Sequence, residues 1–102
     1  MMEWINVCSI DDVKEGQLLG HDCAGKKILV ANIGGKIHAT DRICTHADAD
    51  LANGITSSEG VRCPLHLSVF DMESGMPKNP PAEAPLCVYN VKIDGGQIYV
   101  EI

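Results

Sequence analysis

No run of about 18 apolar residues occurs in this 102-residue chain, so the sequence offers no membrane-spanning helix. The opening MMEWINVCSIDDV lacks the basic and then apolar pattern of a signal peptide, and a cytoplasmic protein is expected. Positive charge is scarce as well. Fourteen acidic side chains stand against eight basic ones, a formal charge of −6, which disfavours nucleic acid and anionic membrane as ligands. A basic protein surface suits the chain better as a partner. Low-complexity tracts, linkers and long repeats are missing too, and 102 residues suffice for one modest core. One domain over residues 1–102 is therefore expected, too small for elaborate work without a partner.

Helical patterning is almost absent. Only SIDDVKEG at 9–16 hints at a turn, with Ser9 able to cap it and Gly16 to end it. Short β-like runs recur instead: EWINVC at 3–8, KKILVANI at 26–33, KIHAT at 36–40, LCVYNVKI at 86–93 and QIYVEI at 97–102. Gly34-Gly35 and Asp94-Gly95-Gly96 lie between pairs of these runs and predict hairpin turns. In LCVYNVKI, Val88, Asn90 and Lys92 alternate with Tyr89, Val91 and Ile93, as in one half-buried strand. The expected class is all-β, built of small antiparallel sheets. Residues 42–82, rich in glycine and proline, read as loops. Loops of that length inside a compact domain need something to hold them.

A metal at two loop tips would serve. Five cysteines make an odd number, and two sit beside histidines, which suits metal binding in a reducing compartment better than a disulfide framework. Cys44 and His46 are separated by one residue, Cys63 and His66 by two, and sixteen residues lie between His46 and Cys63. Two thiolates and two imidazoles form a tetrahedral zinc set, although zinc fingers usually pair like with like. They also suit a two-iron, two-sulfide cluster in which two histidines replace two cysteines on one iron. The extra residue between Cys63 and His66, beside the stiffening Pro64, would turn the imidazole outward. In such a cluster two ferric ions, two sulfides and two thiolates sum to zero charge, whereas four thiolates leave it doubly negative. Histidine ligation therefore eases electron uptake and raises the potential to somewhere between roughly −150 and +300 mV. The free nitrogen of each imidazole couples that electron to a proton.

The pattern Cys-Thr-His, sixteen residues, Cys-Pro-Leu-His, followed by Phe70-Asp71 and Gly75, closely resembles the Rieske iron–sulfur family, and within it the small ferredoxins that serve multicomponent oxygenases. The resemblance runs from Trp4-Ile5 to Ile98-Tyr99-Val100. It implies a sandwich of small antiparallel sheets with a cluster-binding subdomain at about 42–82, and one [2Fe-2S] cluster held through Cys44 and Cys63 on the inner iron and His46 and His66 on the exposed one. It implies no catalysis of its own. The chain would carry single electrons from a flavin or iron–sulfur reductase to a terminal oxygenase, with neither nucleic acid nor membrane as partner. The respiratory branch has a further cysteine in each loop and an N-terminal anchor; the corresponding stretches here read HADAD and CPLH without such a cysteine, and no anchor is expected. Alternatives are the small Rieske-fold subunit of nitrite reductase and a zinc-stabilised interaction module.

Around the four ligands the resemblance places Leu65, Leu67, Ser68 and Phe70, with Leu67 where many relatives have glycine. Ser68 and Phe70 fall where high-potential relatives carry a serine and a tyrosine that donate to sulfur, so a potential below the respiratory proteins is expected. MPKNPPAEAPL at 76–86 resembles the proline-rich cover of the cluster, with Pro77, Pro80 and Pro81 shielding it and forming a small docking patch beside Leu65 and Leu67. His21 and His38 read as solvated surface histidines. Asp48, Asp50 and Asp71 read as solvated or steering charges, and Cys8, Cys23 and Cys87 as small buried hydrophobes.

Overall fold

A computed structural model of the chain describes residues 3–23, 25–45, 48–65, 68–80, 82 and 84–102. Its centre is the run KKILVANI. Ile28, Leu29, Val30 and Ala31 are all fully buried there, so this strand, β3 (Lys26–Ile33), is covered on both faces, as a continuous apolar run requires. The alternation of side chains then divides its residues between two cores. Ile28 and Val30 enter one, with Val7, Val13, Ala39, Ile98 and Val100. Leu29 and Ala31 enter the other, with Cys44, Leu51, Val61, Cys63 and Phe70.

Among the described residues, three antiparallel sheets build these layers. The middle one has the order β2 (Leu18–Cys23), β3, β4 (Lys36–Asp41) and β8 (Val88–Tyr89). Below it lies β1 (Trp4–Ser9), β10 (Gln97–Glu101) and β9 (Val91–Asp94), in that order. The third sheet, β5 (Ile55–Ser57), β6 (Gly60–Arg62) and β7 (Val69–Phe70), packs on the other side through Val61 and Phe70. The predicted turns form: Ile33 pairs with Lys36 and Asp94 with Gln97, and the glycines between them take positive φ, as two-residue hairpins of this hand demand. Ser9 caps a 3-10 turn at Ile10–Asp12, accepting from the Asp11 amide while Asp12 accepts from the Ser9 amide.

The structure departs from the sequence reading in several places. LCVYNVKI is two strands, since β8 pairs with β4 and β9 with β10; between them the Asn90 carbonyl accepts from the Glu101 amide as the chain changes sheets. Ile93, read on the same face as Tyr89 and Val91, is 52% exposed, whereas those two are partly buried. Residues 42–82 are not all loop but hold a 3-10 turn at Leu51–Asn53 and the whole third sheet, whose strands of two or three residues are too short to show a period. Finally, Thr40 is fully buried, and His38 is half-buried where the 71–73 turn lies beside it. His38 is thus not a fully solvated histidine. Its imidazolium is disfavoured chiefly by burial and then by Lys36, with Glu73 and Asp71 opposing.

Two measurements follow from this packing. At Gly60, φ is +138° and a Cβ would stand 1.9 Å from the Phe70 carbonyl oxygen, whereas at Gly95 φ is +58° and the space is open. Gly60→Ala should cost more than about 3 kcal/mol in denaturant unfolding and Gly95→Ala only about 1. His38 binds its proton more weakly folded than unfolded, so its contribution is present above the ordinary value of 6.5 and is lost as pH falls through it. Stability should decline between about pH 7 and pH 5, and His38→Gln should flatten that part of the profile.

Candidate metal centre

Two loops of equal length open on the two cysteines of the sequence motif. Ile43 is bridged to Asp50, and Arg62 pairs with Val69, so residues 44–49 and 63–68 are each closed off at a β-paired root. Each cysteine amide then donates across its own loop to the carbonyl five residues on, Cys44 to Ala49 at 2.9 Å and Cys63 to Ser68 at 3.0 Å. Both cysteines are buried, at 4% and 2% exposure, in the same apolar cluster. His46 and His66, with Ala47 and Leu67, lie outside the described residues. Among the described residues no group of three or more His, Cys, Asp or Glu is drawn together for a metal. Because the loops are equally long, the unequal spacing adds no residue to the second; it moves the histidine from the third position of its loop to the fourth.

The chain after the third sheet is tied to both loops. Pro77 is bridged to Phe70, the Lys78 amide donates to the Val69 carbonyl at 2.7 Å, and the Val69 amide donates to Asn79 Oδ1 at 2.8 Å. Thr45, between Cys44 and His46, donates its hydroxyl to the Ala84 carbonyl at 2.8 Å. Ser68, fully buried, accepts from the Ala82 amide at 2.9 Å. One hydroxyl from each loop therefore grips the same short segment, and Ala82 and Leu86 anchor that segment in the apolar cluster. Pro77 is half-buried, Pro80 exposed and Pro81 outside the described residues. Phe70 is wholly buried, and Leu65 is 68% exposed at the second loop.

Of the three acidic residues near the motif, two have local duties. Asp50 accepts from the Ala52 amide and caps the 3-10 turn. Asp71 accepts from the hydroxyl and amide of Ser74, which hold its carboxyl below the usual range. Asp48 is exposed. Asp41, unremarked in the sequence, braces the root of the first loop: it accepts from the Tyr89 hydroxyl at 2.7 Å and the Cys87 amide at 3.1 Å. Burial and then that hydrogen bond push the Tyr89 phenol up. Cys8 and Cys23 are only partly buried and Cys87 is exposed, so none of the three is the fully buried hydrophobe expected. His21 is also partly buried, on edge strand β2. Thr45 was readable as part of the motif, but its role depends on a partner 39 residues away.

The donor chemistry fits an iron–sulfur group: two thiols in one apolar pocket at the roots of twin loops that each carry an imidazole residue. Comparison with known proteins agrees. A family model described as the Rieske [2Fe-2S] domain matches residues 3–91. The chain is 35% identical to the ferredoxin component of biphenyl 2,3-dioxygenase from Rhodococcus jostii, over 99% of this chain and 94% of that one. It is 31% identical to the naphthalene 1,2-dioxygenase ferredoxin component of Pseudomonas aeruginosa, over 98% and 96%. Among solved structures it resembles the ferredoxin of carbazole 1,9a-dioxygenase from Nocardioides aromaticivorans (TM-score 0.89, 32% identity, 95% of each chain). It matches equally a complex of reduced oxygenase and oxidised ferredoxin from carbazole 1,9a-dioxygenase (TM-score 0.89, 32% identity, 95% and 91% covered). A Mycobacterium tuberculosis protein described as a nitrite reductase small subunit shares the fold at 20% identity and a TM-score of 0.89, covering 100% and 96%.

The two clasps should differ in strength. Ser68→Ala strands the Ala82 amide in a buried setting and should cost about 1–3 kcal/mol, whereas Thr45→Val loses an exposed hydrogen bond worth about 0.5–1.5. Equilibrium unfolding of the two variants side by side measures that order.

Proposed function

The chain belongs to the Rieske [2Fe-2S] family, and from that premise we propose that it is a soluble, cytoplasmic one-electron carrier between a flavin or iron–sulfur reductase and a terminal oxygenase. The observation that carries this reading is the pair of twin loops, each opened by a buried cysteine and closed by the same hydrogen bond five residues on. Cys44 and Cys63 would hold the inner iron of one cluster, and His46 and His66 the outer. When bound, such a cluster accepts and releases a single electron without forming or breaking bonds in a substrate.

What the protein contributes is position and cover. Residues 42–82 act as the cluster-binding subdomain. The apolar cluster around Cys44 and Cys63 keeps water from the thiolates, and the segment at 82–86, gripped by Thr45 and Ser68, closes the third side. Exposed Leu65 and Pro80 supply a small apolar surface near the loops, of the limited size that transient electron-transfer complexes use. Ser68 can still donate its hydroxyl proton towards sulfur, because the bond to Ala82 uses only its oxygen. Phe70 has no such donor, which favours a potential below the respiratory proteins. No helix among the described residues is long and apolar enough to cross a membrane.

The partners follow from the relatives, which at above 30% identity are ferredoxin components of aromatic dioxygenase systems, one of them in complex with its oxygenase. The nitrite reductase small subunit shares only the fold at its lower identity. The test is an electron paramagnetic resonance spectrum of the dithionite-reduced protein, with iron, sulfide and zinc assays on the same sample. A rhombic signal of low average g with iron and sulfide at about two each is expected. Cys63→Ser should lose colour and signal together. Silence with one equivalent of zinc would make the quartet structural and end the carrier reading.

A further inference from the structure

Arg42 stands two residues before Cys44, where β4 passes into the first loop, and its side chain is only 12% exposed. A guanidinium so far from water needs opposite charge around it or pays several kcal/mol in lost solvation. Its Nη2 lies 3.0 Å from Oδ1 of Asp22 on edge strand β2, and its Nε 3.4 Å from Oδ1 of Asp50. That Nε is buried and makes no hydrogen bond, so its tie to Asp50 is one of charge alone. The slot exists because residue 20 is glycine: a Cβ there would stand 2.7 Å from Arg42 Nη1, 2.9 Å from its Cδ and 3.4 Å from the Ala52 Cβ.

The partners belong to the loop itself. Asp50 is bridged to Ile43 across the loop root, and the Leu51 amide donates to the Arg42 carbonyl at 2.8 Å. The guanidinium therefore grips the returning limb of the segment that carries Cys44 and His46. In the twin loop, the position that matches Arg42 is Val61, which is fully buried in the apolar cluster. One root is held by packing and the other by charge. A buried ion pair is no better for stability than apolar packing of similar volume, so stability alone does not explain why a cation stands here.

We propose that Arg42 is a positioning residue of the cluster centre. Bracketed by Asp22 and Asp50, it fixes the returning end of the loop that carries the first two ligands and keeps a positive charge on that side, which favours the reduced state. The proposal rests on the cluster reading above. Asp22 is 68% exposed and also faces Lys27 at 3.9 Å, so solvent and salt weaken its field at the centre. The buried guanidinium is screened much less than Asp22, and Asp50, 38% exposed at 3.4 Å, offsets only part of its charge.

Voltammetry and electron paramagnetic resonance of the cluster-loaded protein test this with Arg42→Met, Arg42→Lys, Asp22→Asn and, as a control in the other core, Val100→Ala. Arg42→Met should lower the midpoint, corresponding to about a three- to tenfold shift of the reduction equilibrium, and alter the g values. Asp22→Asn should raise it. Arg42→Lys should recover most of the midpoint but not the g values, because the charge returns without the fork. Val100→Ala should lose stability with the midpoint unmoved. Damage to folding alone would move Arg42→Met and Asp22→Asn in the same direction, and that result, or no movement in either, overturns the proposal. If Arg42→Met fails to load, Asp22→Asn decides: a raised midpoint supports the proposal and an unchanged or lowered one refutes it. A wild-type protein without a Rieske signal would instead refute the carrier reading, a distinct failure.

Discussion

A single strand, β3, has to satisfy two cores at once. Its four central residues have no face left for water, so Ile28 and Val30 knit the lower sheet to the middle one while Leu29 and Ala31 receive the loops that bear the cysteines. Burial of Ile28, Leu29 and Val30 gains about 1.5–3 kcal/mol each, and the gain is shared: neither layer can detach without uncovering half of β3. The lower sheet thereby becomes a base for the layer that bears the cysteine loops, whose own strands are only two or three residues long.

The second core has an unusual composition for its size. It includes two cysteines, and no long aliphatic side chain comes from the 71–86 stretch except Leu86 and Met72. Hydrogen bonds make up part of the difference. The loops are closed by cysteine amides, and the covering segment is held by a threonine on one loop and a serine on the other. Such bonds are directional, so they fix geometry more closely than the energy of about 0.5–1.5 kcal/mol each would suggest. A metal group bound between the loops would add its binding energy to the folding of this half of the molecule.

The sequence made the fold class plain wherever a strand was long enough to show a pattern. KKILVANI, KIHAT and QIYVEI appear as strands nearly at the expected bounds, and both glycine pairs turn as expected. What stayed hidden was set by distant partners. LLGHDC becomes β2 only because β3 offers it an edge, and Ile55–Ser57 and Gly60–Arg62 are too short for periodicity to register. The run LCVYNVKI alternates perfectly as letters yet is cut at Asn90, because two different sheets claim its halves. At the site, the cysteine–histidine spacing pointed to two loops, but not to their equal length or to Arg42, whose burial depends on a glycine 22 residues away.

The twin loops also clarify why the two Cys–His pairs differ in spacing. If the second loop had gained a residue, its root would have had to widen, and Arg62 could no longer pair with Val69 in the register that Ile43 and Asp50 share. Equal loops keep both cysteine amides in the same closing bond and both thiols in one apolar cluster. The difference is confined to which position of the loop carries the imidazole, and the loops are unlike in what surrounds that position: threonine bound to Ala84 in the first, Pro64 and exposed Leu65 in the second. The first loop is thus held at its root by charge and near its histidine by a hydrogen bond, the second by apolar packing at its root and by proline stiffness beyond it.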